Sequence, residues 1–171
     1  MTRYAAFLRG VNVGGVNMKM ADLAAALGKA GFTEVRTVLA SGNVLLDSSS
    51  AGSAVRQKCE KTLRETFGYD AWVLVYPLDS LRAIDESYPF EREVSGYHSY
   101  VTFVSDPEAL DELAGLDPGP DEHIARGDEV VYWQVPRSRT LDSAMGKTMG
   151  KKRYKSSTTT RNLRTLGKLL T

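Results

Sequence analysis

The chain has 171 residues, 42% of them hydrophobic and 25% charged, which is the composition of one soluble domain or of two small lobes that share a core. It has no apolar run long enough to cross a bilayer and no signal-like N-terminus, and its single cysteine, Cys59, excludes an internal disulfide. These features predict a cytoplasmic protein without a membrane partner.

The charge is distributed unevenly along the chain. Residues 1–136 hold 12 Lys and Arg against 20 Asp and Glu, a net charge of −8. Residues 137–171, here called the basic segment, hold 10 Lys and Arg against one acid, Asp142, a net charge of +9. A strongly basic end on an acidic body indicates either a segment that binds a polyanion or a segment that docks on its own domain.

The first half of the chain predicts the element order β-α-β-β-α-β. Apolar runs and period-two alternation predict strands over residues 3–8, 34–40, 44–47 and 72–76. Apolar residues at helical spacing predict a helix from Met20, ended by Gly31, and a second helix after Ser53, ended by Gly68. This order is that of a ferredoxin-like fold, in which the third strand lies between the first and the second.

The second half repeats this order only in part. Helices are predicted over residues 78–88 and from Ser105, and strands over 97–104, 123–126 and 130–135. Residues 137–159 are expected to form a mobile or surface-lying connection. A last helix over 161–170 is expected to dock by its leucines and to expose a basic stripe.

The predicted fold class is therefore α+β. It comprises a ferredoxin-like β-α-β-β-α-β lobe over residues 1–90 and a partial second α/β lobe over residues 91–171 that ends in a basic C-terminal helix. The two lobes are expected to form one compact unit.

Two short polar loops are predicted to meet at one edge of the first sheet. Gly10 and Gly15 have the spacing of the two glycines of a phosphate-binding loop, but Val16-Asn17 stand where that motif needs Lys and Ser or Thr, so nucleotide hydrolysis is not supported. The predicted anion pocket consists of Arg9, Gly10, Asn12, Gly14, Gly15, Ser41, Gly42 and Asn43. The alternative is that the asparagines bond backbone groups and only stabilise two turns.

Residues with catalytic potential do not form a recognisable group in the sequence. Cys59 lies on the apolar side of a predicted helix, and His98 and His123 are too few and too scattered for a zinc site. The sequence therefore predicts no catalytic residues, no cofactor and no metal, and favours a protein that is not an enzyme.

The basic segment gives the favoured functional hypothesis, a non-enzymatic protein that binds DNA or RNA. The predicted phosphate contacts are Lys151, Lys152, Arg153, Lys155, Arg161, Arg164 and Lys168. The first alternative is an enzyme or sensor for a small anionic metabolite at the loops Arg9–Gly15 and Ser41–Asn43. The second is a protein-interaction module.

Four short motifs resemble a known bacterial family. L-R-G-V-N-V-G-G at Leu8–Gly15, Met20 with Leu23, S-G-N-V at Ser41–Val44 and T-T-R-N-x-R-T at Thr159–Thr165 are similar to the family called domain of unknown function 1697. The resemblance implies a two-lobed α+β fold with ferredoxin-like parts and no established activity. The family commonly has tryptophan between the Asn and the Arg of the last motif, where this chain has Leu163.

Overall fold

The computed structural model describes residues 1–9 and 17–171. The chain forms two compact units, residues 1–82 with 168–171, and residues 83–167. Within the described part of the chain, no helix is both long enough and apolar enough to cross a membrane.

The described residues of the first unit, 1–9 and 17–82, form four strands and two complete helices. They are β1 (Thr2–Leu8), α1 (Met20–Lys29), β2 (Thr33–Val38), β3 (Asn43–Ser48), α2 (Gly52–Phe67) and β4 (Val73–Pro77). A further helix, α3 (Leu78–Glu86), continues from β4 across the boundary between the units.

The four strands of the first unit form one antiparallel sheet in the order β2-β3-β1-β4. The central strand β1 is buried on both faces from Tyr4 to Leu8, which is why its sequence is a continuous apolar run rather than an alternating one. The inner face packs against α1 and α2 through Leu23, Leu27 and Leu63, all fully buried. Gly68, with φ of 67°, ends α2 in the left-handed conformation that the sequence predicts.

The second unit has the same number of strands. Its elements are β5 (Tyr97–Val104), α4 (Pro107–Ala114), β6 (His123–Arg126), β7 (Val130–Pro136), α5 (Ala144–Met149) and β8 (Thr158–Asn162), with α6 (Leu163–Leu170) crossing the boundary at its end. Two short 3-10 helices lie at Arg137–Arg139 and Lys152–Tyr154.

The second sheet is also antiparallel, in the order β6-β7-β5-β8. The prediction of a partial second lobe was therefore wrong, because it lacked β8. The Thr158–Asn162 strand has little apolar character of its own, and it is held by pairing with β5, where Phe103 lies opposite Thr159. Such a long-range pairing leaves no periodic signal in a five-residue segment.

The prediction of a mobile or surface-lying connection over 137–159 was also wrong. Met145 of α5 and Tyr154 are both 1% exposed and belong to the core of the second unit, with Trp133 and Leu113. The hydroxyl of Tyr154 donates a hydrogen bond to Glu112. The segment is therefore part of the folded unit.

The last helix begins two residues later than predicted. The helix starts at Leu163, and Arg161 lies in β8, where it is only 9% exposed. The Asn162 side chain caps the helix, because its Oδ1 accepts a hydrogen bond from the Thr165 N–H at 2.9 Å.

Candidate functional site

The described residues of the loop edge (Arg9 with Ser41, Gly42 and Asn43) lie where β1 ends and β3 begins. The Leu8 N–H donates to the Gly42 carbonyl at 2.8 Å, and Phe7 lies opposite Asn43 in the sheet register. The structure thus brings the ends of the two strands together. Four members of the predicted pocket, Gly10, Asn12, Gly14 and Gly15, lie outside the described residues.

The side chains of the loop edge have different environments. Arg9 is half-buried, and this burial lowers the pKa of its guanidinium, which is still charged at neutral pH. Asn43 is fully buried, and its amide donates to the Val38 carbonyl and to Ser41 Oγ, both at 3.0 Å. These two bonds are those of a turn-stabilising asparagine, while the charge of Arg9 favours an anion.

The lysines of the basic segment lie on the surface around a buried residue. Lys151, Lys152 and Lys155 are exposed, whereas Tyr154 between them is in the core. No ion pair of these three lysines occurs among residues 1–9 and 17–171. The backbone that carries these lysines is therefore anchored at Tyr154, and their side chains face solvent.

The four arginine and lysine residues predicted beside these lysines differ in accessibility. Arg153 is paired with Glu112 at 2.9 Å, and its guanidinium lies over the Tyr154 ring. Arg161 is buried and donates to Thr159 Oγ1 at 2.7 Å and to the Thr160 carbonyl at 2.9 Å. Arg164 and Lys168, by contrast, are exposed on α6.

A surface cleft that the sequence did not predict lies in the second unit. Its volume is about 580 Å³. We call this cleft the arginine cleft. The charged and polar residues that line it include Arg92, Glu93, His98, Arg137, Asn162 and Arg164.

Three segments that end at the same place in the second sheet form the arginine cleft. In the register, Tyr97 at the start of β5 lies opposite Pro136 at the end of β7, so Arg137 follows directly. On the other side of β5, Tyr100 lies opposite Asn162 at the end of β8, so Arg164 follows on α6. The loop before β5 adds Arg92 and Glu93.

The three arginines of the cleft have unequal internal partners. Arg92 donates to the carboxylate of Asp85 at 2.6 Å and to its carbonyl at 2.8 Å. Arg164 lies 3.9 Å from the carboxylate of Glu93, and both side chains are about 70% exposed. No ion pair of Arg137 is found in the part of the chain that the structure describes.

The pKa of His98 responds to the positive charge of the arginine cleft. Partial burial, followed by the charges of Arg137 and Arg164, lowers the pKa of its imidazole. A sequence signal for this site exists only in retrospect. His98 is the second residue of one predicted strand and Arg137 follows another, but the third contributor, β8, spans the end of the predicted connection and the start of the predicted last helix.

The remaining nucleophile and metal candidates have structural surroundings. Burial, and then the charge of Glu60, raise the pKa of Cys59 to about 12, so that its thiol is protonated at neutral pH. Across residues 1–9 and 17–171, no three His, Cys, Asp or Glu side chains lie together as a metal site would need.

The chain is similar in fold to a solved structure and matches the model of one protein family. A solved structure described as the conserved bacterial protein SP0830 from Streptococcus pneumoniae is similar over 99% of each chain, with a TM-score of 0.81 and 23% sequence identity, which indicates a shared fold. No curated protein matches the sequence. The family described as "Protein of unknown function (DUF1697)" matches residues 1–132, and the motif at Thr159–Thr165 lies outside that range. The chain therefore belongs to the DUF1697 family of proteins of unknown function.

Proposed function

We propose that this protein is a non-enzymatic binder of nucleic acid, which it contacts through the exposed lysines of its basic segment. The observation that carries the proposal is the burial of Tyr154 between Lys151, Lys152 and Lys155. A core residue in their midst fixes the backbone that carries the three lysines, and no acid within the described residues pairs with them. Little backbone freedom therefore has to be lost when the lysines meet phosphates, and the cost that remains is the ordering of their side chains.

The proposed interface is narrower than the set predicted from the sequence. Arg161 is excluded because its guanidinium is buried and bonded within β8. Arg153 contributes less than a lysine, since its charge is already shared with Glu112. Contacts to phosphates alone are largely independent of base sequence and strongly dependent on salt.

An electrophoretic shift titration with single- and double-stranded DNA and RNA at several salt concentrations tests the proposal. The triple variant Lys151→Ala, Lys152→Ala, Lys155→Ala is expected to bind more weakly and to lower the salt slope by about 3, roughly one per lysine. Its melting temperature is expected to be almost unchanged, because all three side chains are exposed.

The matched control is Lys19→Ala, Lys29→Ala, Lys61→Ala, which removes the same charge from exposed positions elsewhere. It is expected to keep the wild-type salt slope. Absence of any shift with the wild-type protein at low salt, or an equal loss in both variants, would contradict the proposal.

A second candidate function is an anion site at the loop edge, for a small anionic metabolite. The observation that favours it is the hydrogen bond from the Leu8 N–H to the Gly42 carbonyl, because it draws Arg9 towards Ser41 and Asn43. Melting of an Arg9 variant with and without sulfate tests this candidate, as described in the Discussion.

The proposal includes a ferredoxin-like arrangement for both units and a cytoplasmic location. The strand orders β2-β3-β1-β4 and β6-β7-β5-β8, with helices packed on the sheets, support the first. The single, buried cysteine suits the second. The lobe bounds predicted from the sequence, residues 1–90 and 91–171, stay part of the proposal.

A further inference from the structure

We propose that the arginine cleft of the second unit binds a small phosphate monoester, with Arg137 and Arg164 holding the phosphate and Glu93 occupying part of the site in its absence. This site takes Arg164 from the set of phosphate contacts predicted from the sequence, but it does not use Lys151, Lys152 or Lys155 and does not depend on the interface proposed for them.

The cleft has the size and the chemistry of a small-molecule site. A volume of about 580 Å³ falls within the range of pockets that enclose ligands of nucleotide size. Its lining combines cationic groups with the hydroxyls of Ser95 and Ser99 and with the rings of Tyr97 and His98. Phosphate is the anion that this set matches best, because a guanidinium presents parallel N–H donors to two phosphate oxygens.

Arg137 is the cation most available to a ligand. Its backbone N–H donates to the Gly96 carbonyl at 2.9 Å, which fixes the backbone at the mouth of the cleft. Its side chain is exposed, and no acidic side chain within the described ranges pairs with it. The guanidinium of Arg92 donates to the carboxylate of Asp85, so Arg92 contributes positive potential to the cleft but fewer N–H donors for a ligand.

Glu93 occupies the position of a ligand anion near Arg164. The pair is long, 3.9 Å, and exposed on both sides, so its contribution is small and a doubly charged phosphate can replace the carboxylate. Glu93 also has a φ of 58°, a left-handed conformation that is unusual for a non-glycine residue. The carboxylate thus competes with the ligand, and removing its charge is expected to strengthen binding.

His98 provides a direct readout of occupancy. The charges that act on it are those of Arg137 after β7 and Arg164 on α6. Its ring lies 5.5 Å from the ring of Tyr100 on the same strand, and Arg92 and Glu93 of the loop before β5 line the same cleft. A phosphate dianion offsets the arginine charges, so its binding is expected to raise the pKa of His98. By linkage, phosphate then binds more tightly when His98 is protonated.

The experiment is an NMR titration of the full chain, observing the imidazole signals. The chain has only two histidines, and His123 lines an adjoining cavity that shares Val94 and Tyr97 with the cleft, so a larger response at His98 than at His123 assigns the ligand to the cleft. The probes are inorganic phosphate, AMP and adenosine, each added up to about 10 mM, the range in which a site of millimolar affinity fills.

AMP is expected to shift the His98 signals and raise the pKa of His98, while adenosine does neither. Inorganic phosphate is expected to act more weakly than AMP, since it fills only the arginine end of the cleft. No response of His98 to any probe, or an equal response to adenosine and AMP, would overturn the proposal.

Three variants assign the response to named residues. Arg137→Met is expected to weaken AMP binding about tenfold or more, the usual loss for a charge-assisted hydrogen bond. Glu93→Gln is expected to tighten it, which distinguishes a competing carboxylate from a supporting one. Arg126→Met, which breaks an exposed pair with Asp111 outside the cleft, is expected to leave AMP binding unchanged.

The site can fail or succeed independently of nucleic-acid binding. The triple lysine variant is expected to keep the His98 response, and Arg137→Met is expected to keep the electrophoretic shift. Loss of the His98 response in the lysine variant would show that AMP binds at the lysines, and would overturn the assignment to the cleft.

Discussion

The ends of the central strands β1 and β5 have the same backbone geometry and different side chains. Leu8 N–H donates to Gly42 at 2.8 Å, and Val104 N–H donates to Glu129 at 3.0 Å. Gly42 and Glu129 both have positive φ, of 85° and 60°.

The residue that follows each central strand also makes an equivalent backbone hydrogen bond in the two units. Arg9 N–H donates to the Trp72 carbonyl at 3.2 Å, and Ser105 N–H donates to the Ser157 carbonyl at 2.9 Å. Arg9 in the first unit thus corresponds to Ser105 in the second. The sheet register likewise places Asn43 opposite Phe7 and Val130 opposite Phe103.

The shared topology places equivalent backbone positions at the end of each central strand, and the side chains at those positions decide whether a ligand can bind there. In the first unit the charge lies where the central strand ends, at Arg9. In the second unit Ser105 stands at the position of Arg9, beside the negatively charged Glu129, and the arginines lie where the central strand begins, around His98. Two sheets of the same strand order therefore carry their candidate sites at opposite ends of the central strand.

The largest effect expected is on the basic segment as a part of the second unit. Tyr154→Ala removes a ring that is 1% exposed and leaves Glu112 without its hydroxyl donor, so we expect a loss of about 3 kcal/mol in the free energy of unfolding. Urea denaturation measures it, with the exposed Lys152→Ala as control. A loss below about 0.5 kcal/mol would show that the segment is not integral to the unit.

The backbone equivalence of Gly42 and Glu129 predicts unequal losses of stability when Gly42 gains a side chain and Glu129 loses one. Gly42→Ala places a Cβ at φ of 85° and is expected to cost about 1 kcal/mol. Glu129→Gly removes the backbone strain of a left-handed residue at φ of 60°, which stabilises the folded state, but glycine also raises the conformational entropy of the unfolded chain, which stabilises the unfolded state. The free energy of unfolding is therefore expected to change by less than about 0.5 kcal/mol. Thermal melting of both variants checks this. An equal loss in both would break the equivalence.

The smallest effect concerns anion binding at the loop edge. Arg9→Met keeps the length of the stem and removes the charge, and it is expected to abolish stabilisation by sulfate, which is about 0.4 kcal/mol when the anion concentration equals its dissociation constant. Melting with and without sulfate at matched ionic strength measures it. An equal sulfate response in both proteins would remove Arg9 from the site.

The same measurement separates a ligand site from a structural role. If Arg9 holds neighbouring carbonyls, the variant is expected to lose about 1–3 kcal/mol without any anion present. Arg36→Met, an arginine of β2 that lies opposite Leu45, is the control for loss of a positive charge in the same sheet.

Much of the fold could be predicted because its signals are local. The apolar run of β1, the helical spacing of Leu23 and Leu27, and Gly68 at the end of α2 each act through neighbours in sequence. The same is true of Asp106, whose carboxylate caps α4 by accepting from the Glu108 N–H at 3.1 Å.

The candidate sites could be predicted less well, since they depend on pairing between distant segments. Arg161 was expected on an exposed helical stripe, but pairing of β8 with β5 places it in the sheet, opposite Val101. The same pairing brings Asn162 and Arg164 to the start of β5, where they meet His98 and Arg137.

The sequence by itself determined the α+β class, the β-α-β-β-α-β order of the first half and the opposite charges of residues 1–136 and 137–171, because these follow from local periodicity and composition. Only the tertiary structure decided that Thr158–Asn162 is a strand, that Tyr154 is a core residue and that three arginines share one cleft. The physical reason is that strand pairing and core burial are satisfied between segments more than 40 residues apart, as between Phe103 and Thr159.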